Sequence, residues 1–166
     1  LDGNQQLTDI SPLGAVKLLN ELKLDKTAVH DFSSLADCNI LNRVSAQECG
    51  ITDISTLTNK TIQYLYLTDN NISDISVVSG YKALGTLYLG NNSVSDLSPL
   101  SGLQLLDELD IQKNQVSDLS PLSSCQRLIS LRVNDNNITT LAPLSEMQRL
   151  KYLYAGSNRL TDLTGL

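Results

Sequence analysis

The chain has 166 residues, a formal net charge of -6 and a hydrophobic content of 41%, and its aromatic residues are one Phe, six Tyr and no Trp. Because nucleic acid and anionic membrane surfaces repel a negatively charged protein at long range, the charge argues against either as the main partner. No apolar run approaches the roughly 18 to 20 residues that cross a bilayer. We therefore predict no membrane insertion by this segment, and a core filled almost wholly by Leu, Ile and Val.

One sequence unit recurs along the whole chain in the form L-x-x-L-x-L-x-x-N-x-L. A partial copy covers residues 1–18, a second partial copy covers residues 150–166, and full copies begin at Leu19, Leu41, Ile62, Leu84, Leu106 and Leu128. Successive copies are 22 residues apart, except for a step of 21 between Leu41 and Ile62. No linker interrupts the copies, so we predict a single repeat domain that spans residues 1–166.

Each copy opens with a short alternating segment, as in Leu109-Asp110-Ile111. Two apolar side chains separated by a polar one are typical of a very short strand with one exposed face. Where the chain must leave the strand, most copies have an asparagine: Asn70, Asn92, Asn114, Asn136 and Asn158. A buried Asn amide can bond the backbone of its own turn and of the next one. We predict a hydrogen-bonded ladder that is weaker at the N-terminus, where Thr27 and Cys49 replace Asn.

The segment after the turn carries Ser-Pro-Leu at residues 11–13, 98–100 and 120–122. A serine hydroxyl can cap a helix and proline suits its first position, so we predict that each of these serines is a capping residue. Only about ten residues remain before the next strand, which favours a single 3-10 turn over a full helix. The step of 21 shortens this segment at residues 58–61, where we predict a tighter turn.

The copies at residues 84–103 and 106–125, with N-x-V-S-D-L-S-P-L after the strand, resemble the 22-residue repeats of internalin-like bacterial proteins, a subset of the SDS22-like class. The resemblance extends over nearly the whole chain. It implies an α/β solenoid, namely a leucine-rich repeat arc with a parallel β-sheet on its concave face and short 3-10 turns on its convex face. It also implies a secreted or surface-attached module that binds a partner protein through the concave face.

Five of the six tyrosines fall at positions that the repeat places on the exposed side of the strands. Tyrosine combines a large contact area with a polar tip and is enriched at interface hot spots. We predict two aromatic patches and nearby polar groups that contact the partner protein: Tyr64, Tyr66, Tyr88, Tyr152, Tyr154, Arg43, Glu108, Asp110 and Arg132. The alternative is structural, since Tyr suits strands and its rings stack across them. Arg132 and Asp110 would then form only a cross-strand ion pair.

A column of aspartates marks equivalent positions beyond the strands: Asp9, Asp31, Asp53, Asp74, Asp96, Asp118 and Asp162. Carboxylates about 5 Å apart repel one another, so something must offset the cost. Bound calcium is one interpretation, but the glycine-rich loops of calcium-binding repeats are missing. We favour the other interpretation, in which each Asp accepts hydrogen bonds within its own turn. We predict no metal site.

The sequence offers little for catalysis. His30 is the single histidine, and no serine or cysteine has an apparent base that would activate it. Cys38, Cys49 and Cys125 lack the close pairs of a disulfide framework or a zinc site, and we interpret them as buried thiols. We therefore predict no enzyme activity and no cofactor.

Two alternatives to a secreted or surface-bound binding module are compatible with the sequence. One is an intracellular SDS22-like regulatory subunit, and the other is a structural spacer within a larger adhesin. Internalins place a helical cap before the first repeat, and this sequence shows none. Core positions at both ends are therefore expected to be exposed: Leu7, Ile10, Leu13, Leu160, Leu163 and Leu166. Such uncapped ends would allow end-to-end self-association.

Overall fold

A computed structural model describes residues 1–164 and 166. Seven parallel strands form one sheet in chain order. They are β1 (Glu21–Lys23), β2 (Arg43–Ser45), β3 (Tyr64–Tyr66), β4 (Thr86–Tyr88), β5 (Glu108–Asp110), β6 (Ser130–Arg132) and β7 (Tyr152–Tyr154). Equivalent residues of neighbouring repeats are paired, as Leu65 is with Leu87 and Leu87 with Leu109. The predicted parallel sheet and its register are confirmed.

Short 3-10 turns lie on the other side of the coil. They cover Ser11–Ala15, Ser33–Asp37, Ser76–Gly80, Ser98–Leu100, Ser120–Ser124 and Ala142–Leu144. One tight turn fits the few residues available, whereas a helix of several turns would not. The predicted solenoid, with strands on the concave face and 3-10 turns on the convex face, is confirmed. Across residues 1–164 and 166, no helix is long and apolar enough to span a membrane.

The core is a continuous column of aliphatic side chains between the sheet and the turns. In the repeat that begins at Ile62, the side chains of Leu65, Leu67, Ile72 and Val78 are fully buried. Burial of a Leu or Ile side chain contributes about 1.5–3 kcal/mol relative to exposure, so stacked identical layers can stabilise strands of only three residues. The three cysteines lie in the same core as free, buried thiols, as predicted.

The two ends of the coil differ in exposure. Ile10 is only 4% exposed, so the prediction that it is an exposed end residue is wrong. Residues 1–18 pack on the first full repeat, where the Ala28 N–H donates to the Leu7 carbonyl at 2.9 Å. At the other end Leu163 and Leu166 are exposed, as expected. The remaining end residues are partly buried against the core: Leu7, Leu13 and Leu160.

Asn114 shows how an asparagine ties two repeats together. Its side-chain N–H groups donate to the carbonyls of Leu89, Ile111 and Gln112 at 2.9, 3.1 and 3.1 Å. Its side-chain carbonyl accepts the Val94 N–H at 2.9 Å. Equivalent bonds are made by Asn70, Asn92, Asn136 and Asn158. The predicted ladder is confirmed.

The ladder is thinner at the N-terminus, as predicted. Thr27 Oγ1 and Cys49 Sγ both donate to the Leu24 carbonyl, at 2.7 and 3.1 Å. Within the described residues, neither side chain accepts a backbone N–H. Asn70 does so twice, because its Oδ1 accepts the N–H groups of Cys49 and Ile51 at 3.1 and 3.0 Å.

The aspartate column organises the start of each convex turn. Asp96 Oδ1 accepts the Ser98 backbone N–H at 2.8 Å, and the Ser98 hydroxyl donates to Asp96 Oδ2 at 2.7 Å. The backbone N–H two residues ahead is bound in the same way by Asp9, Asp31, Asp53, Asp74, Asp118 and Asp162. The predicted bonding within each turn is confirmed. The prediction that serine caps the turn is wrong, because the 3-10 turn begins at Ser98 itself and has no side-chain cap.

These hydrogen bonds predict a loss of stability in acid. They lower the pKa of six carboxyl groups, those of Asp9, Asp31, Asp53, Asp96, Asp118 and Asp162. The cause is a hydrogen bond from the backbone, and then the hydroxyl, of the following Ser or Thr, with the order reversed at Asp118. Because the folded pKa lies below the unfolded value of about 3.9, the stabilisation is complete above that pH and is lost as pH falls through the folded pKa.

We therefore expect Tm to fall as pH is lowered from about 4. A variant with Asp53, Asp96 and Asp118 all replaced by Asn should lose less Tm over the same range, since it has three fewer carboxylates to protonate. Thermal unfolding followed by circular dichroism at a series of pH values would measure this. Parallel curves for the two proteins would contradict the assignment.

The shortened repeat lacks a 3-10 turn. Residues 60–61 form a turn and residues 58–59 have no regular structure. The buried Asn59 side chain donates to the carbonyls of Leu35 and Cys38 at 3.3 and 2.7 Å. In a regular repeat, a carbonyl such as that of Val78 accepts the N–H three residues ahead, which belongs to Tyr81. The equivalent Leu57 carbonyl has no such donor within the described residues. The hydroxyl of the fully buried Tyr81 donates to it instead.

Candidate functional site

The strands place all nine predicted site residues on one face of the sheet. Each is the first or third residue of a three-residue strand, while the middle residue points into the core, as Leu65 and Leu109 do. Side chains alternate between the two sides of a strand, so the first and third residues share the concave face. This geometry brings Arg43 on β2 and Tyr154 on β7 onto the same surface.

Arg43 organises the N-terminal part of the concave face. Its guanidinium carbon lies 4.3 Å from the centre of the Tyr64 ring and 5.6 Å from that of Tyr66. One guanidinium N–H donates to the Tyr66 hydroxyl at 2.9 Å. The Glu21 carboxylate lies 4.0 Å from Arg43 Nε. Cation–π contact and hydrogen bonding therefore hold both tyrosine rings in fixed positions.

Tyr88 links this cluster to the middle of the sheet. Its ring packs edge-on against Tyr66, with centroids 5.2 Å apart and an interplanar angle of 85°. Its hydroxyl donates to Glu108 Oε2 at 2.8 Å. Burial raises the pKa of Tyr88, the Glu108 carboxylate raises it further, and the Arg132 guanidinium partly offsets both. Glu108 and Arg132 therefore lie between the predicted patch of Tyr64, Tyr66 and Tyr88 and the predicted patch of Tyr152 and Tyr154.

The C-terminal part of the face is more open. The Arg132 guanidinium carbon lies 5.3 Å from the centre of the Tyr154 ring. Tyr152 and Tyr154 are 56% and 45% exposed, which leaves both rings available for contact. A cleft of about 250 Å³ lies here, lined by Glu108, Ile129, Ser130, Arg132, Tyr152 and Tyr154. Ser130 is small and only 7% exposed, so it forms the floor of this cleft between larger side chains.

Asp110, which was predicted to contact the partner protein, is largely buried. It is only 7% exposed, and its two oxygens accept the Gln112 backbone N–H at 3.0 Å and the Gln112 side-chain N–H at 3.2 Å. Burial raises the pKa of this carboxyl group, and the hydrogen bond from Gln112 and the charge of Arg132 oppose the shift. A Cβ at Gly90 would meet Asp110 Oδ1 at 3.3 Å, so glycine there makes room for the carboxylate.

The cross-strand ion pair between Asp110 and Arg132 is not formed, although the two residues are paired in register. Within the described residues, no charged groups of this pair approach within 4.0 Å. Arg132 lies over Tyr154 instead, because the Gln112 amide already occupies the Asp110 carboxylate. That structural interpretation of the pair is therefore wrong.

A second cleft of about 250 Å³ was absent from the predicted site. It lies at the N-terminal end of the face and is lined by Asp2, Lys23, Asp25, Arg43, Ser45, Gln47 and Tyr66. Asp25 accepts the Ser45 hydroxyl at 2.6 Å and the Gln47 N–H at 2.8 Å, which fixes one wall. The cleft shares Arg43 and Tyr66 with the predicted site. Lys23 and Ser45 occupy the same kind of strand position as the predicted residues, and this position is the sequence signal for the cleft.

The concave face carries no cluster of metal ligands in the described part of the chain. There, no group of three or more His, Cys, Asp or Glu side chains is placed to hold a metal ion. The face instead offers aromatic rings, two guanidinium groups and two shallow clefts. Such groups provide contact area and hydrogen bonds for another surface.

Comparison with known families identifies the repeats. The sequence model of the family described as leucine rich repeats (2 copies) matches residues 60–102, 82–124 and 126–166. No curated protein sequence matches the chain. The repeats that match include strands β3 to β7 and therefore most of the predicted site.

Solved structures with the same fold include two internalins of Listeria monocytogenes. InlF matches with a TM-score of 0.91 and 31% identity over 95% of this chain and 47% of that chain. Internalin C2 matches with a TM-score of 0.95 and 29% identity over 98% of this chain and 73% of that chain. The leucine-rich repeat ectodomain of a plant receptor kinase from Arabidopsis thaliana shares the fold, with a TM-score of 0.82 and 19% identity over 93% of this chain and 20% of that one. The chain thus spans about half the length of InlF.

Proposed function

Because the chain belongs to the leucine-rich repeat family and is internalin-like in sequence and fold, we propose that it is a scaffold that binds a protein partner on its concave face and has no chemistry of its own. The observation that carries this proposal is the connected row of side chains across the face. Direct contacts link Arg43, Tyr66, Tyr88 and Glu108. The row continues across the cleft that Glu108 shares with Arg132 and Tyr154.

The row favours binding because its side chains are already ordered. Tyrosine and arginine dominate the energetics of many interfaces, but ordering a free side chain on binding costs about 0.5–1.5 kcal/mol. Arg43 and Glu108 hold the tyrosine hydroxyls at 2.9 and 2.8 Å, so most of that ordering is complete before a partner arrives. The contacts that stabilise the sheet therefore also prepare the tyrosine side chains for binding.

The two clefts add specificity to this surface. One lies beside Arg43 and Gln47 and the other beside Ser130 and Tyr152. Both combine charges of either sign with an aromatic wall, so they suit polar side chains that project from a protein surface. A partner that fills both clefts would cover the tyrosines between them.

We place the protein outside the bacterial cell, secreted or attached to the surface, on its likeness to the internalins. An intracellular regulatory subunit and a spacer within a larger adhesin are the competing assignments. The subunit assignment keeps the concave binding face but changes the compartment. The spacer assignment removes the need for that face.

The concave face can be tested by affinity capture from host and bacterial lysates. We expect a captured partner to bind a variant with Tyr64, Tyr66 and Tyr88 replaced by Ala at least about 100-fold more weakly, since two hot-spot residues lost at about 2 kcal/mol each would already exceed that factor. Calorimetric titration with the purified partner would measure the change. The variant also loses the packing of Tyr66 on Tyr88 and two hydrogen bonds, so its Tm should fall, and circular dichroism at the titration temperature checks that it is folded.

A matched control replaces three convex serines, Ser79, Ser101 and Ser123, by Ala. These lie in exposed positions on the opposite side of the coil and should leave the affinity unchanged. Capture that survives the tyrosine substitutions, or that is lost equally in the control, would favour the spacer assignment over a concave binding site.

A further inference from the structure

The two edges that join the sheet to the convex turns carry opposite charge. We call the residues that precede each strand the basic edge: 17–20, 39–42, 60–63, 82–85, 104–107, 126–129 and 148–151. Backbone hydrogen bonds stack these segments on one another, as the Asp107 N–H donates to Gly85 and the Ile129 N–H to Asp107. The edge contains a single carboxylate, Asp107, and six cations: Lys17, Lys60, Lys82, Arg127, Arg149 and Lys151.

The opposite edge consists of residues 6–9, 28–31, 50–53, 71–74, 93–96, 115–118, 137–140 and 159–162. It contains the seven aspartates of the column and a single Lys or Arg, Arg159. The net charge of -6 is therefore not spread evenly. At physiological ionic strength a charge acts over about 8 Å. A surface that touches the basic edge consequently meets local cations, while the aspartate column faces away from it.

Four of the six cations are available to a partner. Lys17 is paired with Asp37 at 3.2 Å and Arg127 with Asp107 at 3.3 Å. No ion pair in the described part of the chain involves the other cations, all of which are exposed: Lys60, Lys82, Arg149 and Lys151. They lie in three of the seven segments, 60–63, 82–85 and 148–151, so they extend from the middle of the edge to its C-terminal end.

Large aliphatic side chains are exposed on the same edge. Leu18, Ile40 and Leu105 occupy the same position in their repeats and are 81%, 45% and 42% exposed. Since Ile40 and Leu105 lie inside the stack, their exposure follows from the direction of this position and not from the end of the coil. Amphipathic helices that lie at the boundary between lipid headgroups and acyl chains combine Lys and Arg with large apolar side chains, and this edge presents the same side-chain types.

We propose that the basic edge binds peripherally to an anionic phospholipid bilayer. Lys60, Lys82, Arg149 and Lys151 contact the lipid phosphates, and Leu18, Ile40 and Leu105 rest at the acyl boundary. Seven segments about 4.8 Å apart form a line of roughly 30 Å, which suits an extended surface. A hydrophilic polyanion would satisfy the cations but leave the aliphatic side chains exposed. The four cations and three aliphatic side chains of this proposal are not among the concave site residues, so the concave face stays open to a protein partner.

The proposal reverses the conclusion from net charge alone. The total of -6 argues against an anionic membrane only if the charge acts as one point. Because the edges differ in sign, the molecule approaches such a surface with a preferred orientation. The attraction depends on exposed charges, so salt should weaken it strongly.

Co-sedimentation with vesicles tests this surface. We expect the protein to sediment with vesicles of phosphatidylserine and phosphatidylcholine at low salt, and not with phosphatidylcholine alone or at high salt. Replacing Lys60, Lys82 and Lys151 by Glu should weaken the partition by about 100-fold or more, since each basic residue near the surface contributes about 1 kcal/mol. A matched control replaces three concave-side lysines, Lys23, Lys26 and Lys113, by Glu and gives the same net charge.

The control variant should keep its vesicle binding within about threefold of the parent, since its lysines lie off the edge. A variant with Leu18, Ile40 and Leu105 replaced by Ser should bind more weakly at every salt concentration. No sedimentation of the parent, or equal losses in the two lysine variants, would overturn the proposal. So would binding of a synthetic Glu- and Leu-rich peptide to the basic edge without vesicle binding, which would assign the edge to an acidic protein. Circular dichroism confirms that each variant is folded.

Discussion

Replacement of Asn114 by Ala should lower the free energy of unfolding by about 3 kcal/mol. The substitution removes the acceptor of the Val94 N–H and one donor to each of three carbonyls. Val94 is buried, and no other acceptor for its N–H is present in the described residues. An unsatisfied buried N–H costs about 1–3 kcal/mol, and the weakened carbonyl bonds add to that. Denaturant unfolding would measure the change.

The ladder also supports an unfavourable backbone conformation. Lys113, immediately before Asn114, has φ of 52°, in the left-handed region. A non-glycine residue adopts that region at a cost of about 1–2 kcal/mol. The bonds of Asn114 on either side of the turn offset this cost, so their loss should loosen the turn as well. We expect faster hydrogen exchange at Gln115 and Val116 in the variant than in the parent.

Asn158 is the matched control for this prediction. It makes the same pattern of bonds at the C-terminal end of the ladder, but it is only partly buried. Water can replace its bonds, so Asn158→Ala should cost about 1 kcal/mol or less. Equal losses at both positions would show that the ladder bonds depend little on burial, contrary to the argument for Asn114.

Most of the fold could be predicted because each repeat restates the same local rules. The spacing of Leu84, Leu87 and Leu89 indicates which side chains enter the core, and the same spacing recurs in six further copies. Asn114 and Asp96 could be assigned from their position alone, since a buried amide beyond a strand and a carboxylate before a turn each have few ways to satisfy their polar groups. A deviation in one copy, such as Thr27 or Cys49 in place of Asn, therefore does not obscure the pattern that the other copies share.

The details that failed depend on contacts between repeats. Sequence position put Asp110 beside Arg132, but whether charges pair depends on competing neighbours, and Gln112 was the better partner for the carboxylate. The serine cap failed for a similar reason, because the Ser98 hydroxyl donates to the Asp96 carboxylate and does not accept an N–H of the turn. In the candidate site, the position of every tyrosine on the concave face followed from the repeat, whereas the contacts of Arg43 with Tyr64 and Tyr66 did not. Rotamers across strands are not encoded in a linear pattern.

Tyr81, the one tyrosine outside the concave face, is expected to contribute strongly to the free energy of unfolding. Tyr81→Ala should lower the free energy of unfolding by about 3–5 kcal/mol, because the side chain is 1% exposed and its removal leaves a cavity. Tyr81→Phe keeps the ring and removes only the hydroxyl that donates to the Leu57 carbonyl. That change should cost about 1–2 kcal/mol, as it leaves a buried carbonyl without its donor. Burial also raises the pKa of the Tyr81 hydroxyl, which keeps it protonated and able to donate.

The cost of Tyr81→Phe is specific to the shortened repeat. In regular repeats, the residue that corresponds to Tyr81 is small or aliphatic, as at Leu103 and Cys125. The carbonyl that corresponds to that of Leu57 accepts a backbone N–H from three residues ahead. Insertion of one residue next to Thr58 should restore that N–H, so that Tyr81→Phe becomes nearly neutral in the lengthened chain. A double-mutant cycle measured by denaturant unfolding gives the coupling between insertion and hydroxyl. If the lengthened chain does not fold, Tyr81→Phe in the parent still decides the point, because a cost near zero would mean that the Leu57 carbonyl does not need the tyrosine.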